Sequence, residues 1–253
     1  MRRRQCWFFT IVIFLAIGAV VCLYKKGKNM TNEHTELEET VEKENVEEPE
    51  VPSLGIKMVI DSGHGGFDPG KVNADGVVEK DINLQIAMKL KEELENQGIE
   101  IVLTRDSDKG MYEETSKSKK MDDLNNRCHL IGETEPLCTI SIHQNSFPDE
   151  TVYGPQVFYY HESESSAQLA ELVQNSLNTR LEVEKPRETK NNQSYYLLKK
   201  SPSTTIIVEC GFLSNGEDAA KLVTEEYQWQ VAQAICDGVM GYVDWVKNQN
   251  ADG

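Results

Sequence analysis

The sequence predicts an α/β fold: one domain with a mixed, mostly parallel central sheet, flanked by helices on both faces and preceded by one N-terminal membrane helix. Three observations lead there. From residue 55 onward, short apolar runs alternate with longer segments of helical period. Several of the runs, such as Ile206-Ile207-Val208, are apolar at consecutive positions, as strands covered on both faces are. Ahead of them, Trp7 to Tyr24 is an uncharged stretch of 18 residues, close to the lower limit for a membrane-crossing helix.

Taken in order, residues 1–28 read as a signal anchor with its membrane helix at about 7–24. Arg2, Arg3 and Arg4 precede the apolar run, and Lys25, Lys26 and Lys28 follow it. No small-x-small cleavage pattern closes the run, which favours an uncleaved anchor over a cleaved signal peptide. A short N-terminus stays in the cytoplasm, so the domain is expected on the extracytoplasmic side of the cell envelope, with a cleaved, secreted form as the alternative. Residues 29–54 carry nine Glu against one Lys and are expected to form an acidic, disordered tether.

The domain spans 55–253. Ile56–Asp61 is a strand. Asp81–Gln97 sets Ile82, Ile86, Leu90 and Leu94 on one helical face and stops at Gly98. Ile99–Leu103 is a strand, and a helix is expected around Asp122–Ile131. Leu137–Ile142 and Gln156–Tyr160 are strands, Ser166–Leu181 a helix and Thr204–Glu209 a buried strand. Ser214 and Glu217 read as a capping box opening a short helix. The last helix aligns Val231, Ile235, Val239, Tyr242 and Val246.

The chain has 253 residues, with 26 Lys+Arg, 42 Asp+Glu and a net charge of −16. That balance opposes nucleic-acid binding, which needs basic surface to displace counterions. The first 28 residues carry six basic and no acidic groups, and the tether carries −8, so the domain itself holds −14. Bulk attraction to anionic polymers is therefore not expected to retain it, and the membrane helix is. Six Cys are too sparse for a disulfide scaffold. Cys128, Cys138, Cys210 and Cys236 lie in the domain and are expected as buried thiols, although their even number permits two disulfides.

Four polar residues fall where α/β domains collect their sites, outside the carboxyl ends of strands. His64 follows the first strand, His143 ends a middle strand, Glu209 ends the last, and Glu79 stands at the entrance of the first long helix. Two imidazoles and one carboxylate suit a catalytic zinc that keeps a position open for water. A second, unligated carboxylate then moves the proton. The glycines of Gly63-His64-Gly65-Gly66 allow a sharp turn and close backbone approach. Asp61 either accepts a proton from His64 or caps the turn. Each feature also has a plain structural meaning: a satisfied histidine, a turn, a helix-dipole partner. His34, His129 and His161 have no comparable setting and are taken as structural or solvated. A different chemistry would use Cys210 as nucleophile, but strand alternation turns it away from Glu209.

Val59-Ile60-Asp61-Ser62-Gly63-His64-Gly65-Gly66, Glu79-Lys80-Asp81-Ile82-Asn83-Leu84, Ser141-Ile142-His143-Gln144-Asn145 and Val208-Glu209-Cys210-Gly211-Phe212-Leu213-Ser214-Asn215 together resemble the four signature blocks of zinc-dependent N-acetylmuramoyl-L-alanine amidases. The resemblance covers about residues 56–247. It implies a mixed α/β fold, one catalytic zinc held by His64, Glu79 and His143, and Glu209 as the catalytic carboxylate. The implied substrate is peptidoglycan, cut between the lactyl group of N-acetylmuramic acid and L-alanine. Ser62 stands where the family usually has proline. Thr104-Arg105-Asp106 and Asp123…Arg127 also resemble family features, with Arg127 open between support and substrate contact. The single anchor, short tether and absence of repeated wall-binding modules most resemble the germination-specific type that acts on spore cortex. A vegetative autolysin and a non-catalytic peptidoglycan-binding regulator are the alternatives, and no accessory protein is identified.

Overall fold

The computed structural model describes residues 52–251. The expected membrane helix at 7–24 and nearly all of the acidic tether lie outside the described residues. Among the described residues, no helix is long and apolar enough to cross a membrane.

In chain order the elements are β1 (Lys57–Ser62), α1 (Glu79–Glu95), β2 (Glu100–Leu103), α2 (Lys119–Thr134), β3 (Thr139–Asn145) and β4 (Gln156–Tyr160). There follow α3 (Glu164–Arg180), β5 (Lys190–Asn192), α4 (Tyr196–Lys200), β6 (Thr205–Phe212), α5 (Gly216–Leu222) and α6 (Glu225–Ala251). The six strands form one sheet in the order β2-β1-β3-β6-β4-β5. All neighbours run parallel except β4 and β6. The mixed, mostly parallel sheet is as expected.

Alternation along the strands divides the core between two faces. Met58, Ile60, Ile140, Ile142, Ile206 and Val208 pack into the main core with the apolar stripes of α1, α3 and α6. Val59, Ile131 and Leu197 cluster on the other face, under α2 and α4. Helices therefore cover both faces, unequally. Because β1, β3 and β6 are parallel, their carboxyl ends open on one edge. Residues of the second face near that edge, Asp61, Ser141, His143 and Glu209, are polar rather than apolar.

Two details depart from the sequence reading. The short helix after β6 is capped by Asn215, whose side chain accepts from the backbone N–H groups of Glu217 and Asp218. Ser214 is not the cap: its hydroxyl accepts from the Phe147 N–H and ties the loop after β3 to β6. The strands also run further than their apolar residues. β3 continues through His143-Gln144-Asn145 and β6 through Cys210-Gly211-Phe212, because the two remain paired, with a register shift between His143 and Asn145.

Candidate active site

His64, Glu79 and His143 converge, with one ligand atom from each inside a span of 4.8 Å. Glu79 is the hub. Its Oε1 lies 3.2 Å from His64 Nε2 and 3.0 Å from His143 Nδ1. The same oxygen accepts from the Gln144 N–H at 3.1 Å, and Oε2 accepts from the Lys71 N–H at 2.7 Å. The carboxylate is thereby fixed at the first turn of α1. Burial opposes its charge, but the two imidazoles outweigh burial and hold it far below the usual carboxylate range.

His64 sits in the left-handed backbone region at φ 62°, a conformation that costs a non-glycine residue about 1–3 kcal/mol. Its other ring nitrogen, Nδ1, is 3.0 Å from Asp68 Oδ2. Asp68, not Asp61, is therefore the carboxylate that orients this imidazole and leaves Nε2 aimed at Glu79. Asp61 is occupied elsewhere: it accepts from Ser141 Oγ at 2.6 Å and Thr104 Oγ1 at 2.9 Å, and it pairs with Arg127. Burial would raise the Asp61 pKa, but Arg127 and Ser141 hold it down at about 2. Burial likewise disfavours the His64 cation, yet Asp68 and Glu79 raise its pKa to about 9. The surroundings of His64 thus favour positive charge.

Two glycines make room for the cluster. A Cβ on Gly63 would stand 2.3 Å from the His143 ring, and one on Gly70 would stand 2.6 Å from Glu79 Oε2. The two imidazoles meet edge to face, with ring centroids 4.9 Å apart. Two nitrogens, one carboxylate oxygen and a pocket that stabilises a cation together fit a divalent metal with nitrogen and oxygen ligands.

Glu209 faces the same cleft, which His64, Glu79, His143, Lys71 and Tyr195 also line. Its Cα is in register with His143. It is 8% exposed, and its Oε2 has no hydrogen-bond partner among the described residues. Burial, only partly offset by the histidines, lifts its carboxyl to about 7. Cys210 belongs to the main core on the opposite face, where burial pushes its thiol pKa up, away from nucleophilic chemistry. All four domain cysteines are free thiols; Cys138, Cys210 and Cys236 are buried and Cys128 half-buried. His129 and His161 pair with neighbouring surface glutamates, Glu133 and Glu162, away from the cluster.

The sequence reading missed Asp68, Lys71 and Gln144. Asp68 lies four residues after His64 in a loop without periodic pattern, and the Lys71 and Gln144 contributions are backbone N–H groups, which leave no side-chain signal. Ser62 is explained by its surroundings: its N–H donates to Thr104 Oγ1 at 3.2 Å, a bond that proline lacks. Arg127 is buried beneath the cleft floor and supports the backbone, with Nη2 donating to the His64 carbonyl at 2.6 Å.

A histidine–glutamate–histidine cluster beside a carboxyl group titrating near neutrality is the arrangement of metal-assisted hydrolases. Comparison with known proteins narrows that class. The family model Amidase_3, N-acetylmuramoyl-L-alanine amidase, matches residues 58–240. The germination-specific N-acetylmuramoyl-L-alanine amidase of Bacillus subtilis (strain 168) is 34% identical over 195 residues, covering 76% of this chain and 81% of that protein. The CwlD amidase from Clostridioides difficile, solved in complex with the GerS lipoprotein, superposes with a TM-score of 0.72 at 36% identity, covering 75% of this chain and 98% of that one. AmiC2 of Nostoc punctiforme gives 0.66 at 34% identity, covering 76% and 99%. The chain belongs to the N-acetylmuramoyl-L-alanine amidases, enzymes that act on peptidoglycan.

Proposed function

We propose that this amidase is zinc-dependent, is anchored in the membrane with its domain on the extracytoplasmic side, and serves spore-cortex maturation and germination. His64, Glu79 and His143 would hold the zinc. When bound, zinc supplies a Lewis acid that brings the pKa of water to near 7 and polarises a carbonyl. Glu209 does the proton work: its carboxylate takes a proton from the attacking water and returns it to the departing nitrogen of L-alanine. The observation that carries this role is a buried carboxyl that faces the cleft lined by the three proposed ligands, has an Oε2 without a hydrogen-bond partner among the described residues, and is raised by burial to about 7 in the metal-free protein. Asp68 and the backbone N–H groups of Lys71 and Gln144 keep the ligands oriented.

The cortex role is supported by the likeness to the germination-specific amidase of B. subtilis and to the CwlD amidase. An accessory envelope lipoprotein fits the same setting, since the C. difficile enzyme was solved with one. Removal of stem peptides would prepare muramic acid for conversion to muramic-δ-lactam, so deleting the gene tests the role: spores whose cortex lacks muramic-δ-lactam are expected, and normal cortex with defective vegetative cell separation would point to an autolysin instead.

A further inference from the structure

We propose that Arg105, together with Asn83, is a positioning residue that sets the relation between the two chain segments bearing His64 and Glu79. Arg105 follows β2 and is 6% exposed, so its guanidinium meets protein rather than water. It contacts no carboxylate within ion-pair distance among the described residues; its donors go to backbone carbonyls. Nε donates to Ser62 O at 2.9 Å, and Nη2 donates to Gly63 O at 3.0 Å and to Lys80 O at 2.7 Å. Nη1 reaches Ser107 O at 3.1 Å, which closes the arginine's own loop.

Ser62 and Gly63 lead directly into His64, and Lys80 directly follows Glu79. One planar group therefore bridges the turn that carries one proposed ligand and the helix start that carries the other. A fork of fixed geometry holds such a spacing, which a single flexible ammonium does not. Asn83, one turn along α1, donates to the same Gly63 carbonyl at 3.1 Å and strengthens the link from the helix side. The arginine stem completes the fit: a Cβ on Gly65 would lie 2.9 Å from Arg105 Cδ. His64 occupies a left-handed conformation, and Arg105 adds to the hold of Arg127 on the His64 and Ser62 carbonyls by tying this turn to the start of α1.

The inference rests on His64 and Glu79 holding a metal, and the test separates the two. The full chain, purified in detergent and stripped of metal, is titrated with zinc against a chromophoric chelator and with cobalt(II) followed by its visible absorption. Wild type, Arg105→Lys and a core control, Leu177→Ala on α3, are compared. Wild type and Leu177→Ala are expected to bind one equivalent with equal affinity. Arg105→Lys is expected to bind about tenfold to a hundredfold more weakly, with an altered cobalt band. Equal affinity in wild type and Arg105→Lys, or a raised KM at saturating zinc with unchanged metal affinity, overturns the inference alone. A wild type that takes up no metal overturns the site reading and the inference with it. If Arg105→Lys does not fold, Asn83→Ser decides: a several-fold loss of zinc affinity supports the clamp, and unchanged affinity overturns it.

Discussion

Replacing Glu209 with glutamine separates the cost of burying this carboxyl group from its use in turnover. In the metal-free protein the folded-state pKa is about 7, whereas an unfolded glutamate titrates near about 4.3. The folded state therefore binds the proton more tightly, and its stability falls as pH rises from about 4.3 through about 7. Above that window the full cost is about 4 kcal/mol, and at pH 5 about 1 kcal/mol of it has already been incurred. Glutamine carries no such cost. The stability difference between Glu209→Gln and wild type should therefore widen by about 3 kcal/mol between pH 5 and pH 8.5 in the variant's favour. For a domain of this size that corresponds to roughly 6–12 °C in Tm. Thermal unfolding in excess chelator at the two pH values reads it, and the same variant, zinc-loaded, should bind metal normally with almost no turnover. A stability difference independent of pH would refute the buried-acid argument. Normal turnover would refute the catalytic role.

Other perturbations test other parts of the account. Cys210→Ala should keep full, zinc-dependent activity at a stability cost of about 1 kcal/mol, because the thiol packs on the core face of β6; loss of turnover in a folded variant would revive a cysteine mechanism. Ser62→Ala removes a buried hydroxyl that has no partner among the described residues, so it should leave stability unchanged or raise it by about 1 kcal/mol in thermal unfolding. A drop of several kcal/mol would mean that the hydroxyl makes an essential bond. Removing residues 1–28 should leave an active enzyme that no longer sediments with membranes, and persistent sedimentation would contradict retention by an N-terminal anchor.

The central sheet was legible because its strands are consecutive apolar runs; His143 and Glu209 stood out as polar groups ending such runs and His64 as one just beyond a run, whereas Glu79, at a helix start, was singled out by the resemblance of its block. The ends of β3 and β6 were not legible. His143-Gln144-Asn145 is polar, and its strand conformation comes from pairing with β6, a tertiary effect. β5 (Lys190–Asn192) is three polar residues at a sheet edge, and α4 is five residues long, too short for a helical period to register. Asp61 misled for a related reason. Its nearness to His64 in sequence suggested a partner, but strand β1 turns its side chain under the sheet toward Arg127, while the loop brings Asp68 back to the imidazole. The Arg105 and Arg127 motifs were visible as patterns, yet all the partners of Arg105 and several of those of Arg127 are main-chain carbonyls, which no side-chain code announces.

The most direct test of the account is mass spectrometry of peptidoglycan digested by the metal-loaded enzyme, with and without chelator, alongside Glu209→Gln. The account predicts free stem peptides beginning with an L-alanine amino terminus, glycan strands without new reducing ends, and loss of both products with chelator and in the variant. Cleavage that creates reducing ends or cuts within the stem peptide, or release of L-alanine termini undiminished by chelator, would contradict it.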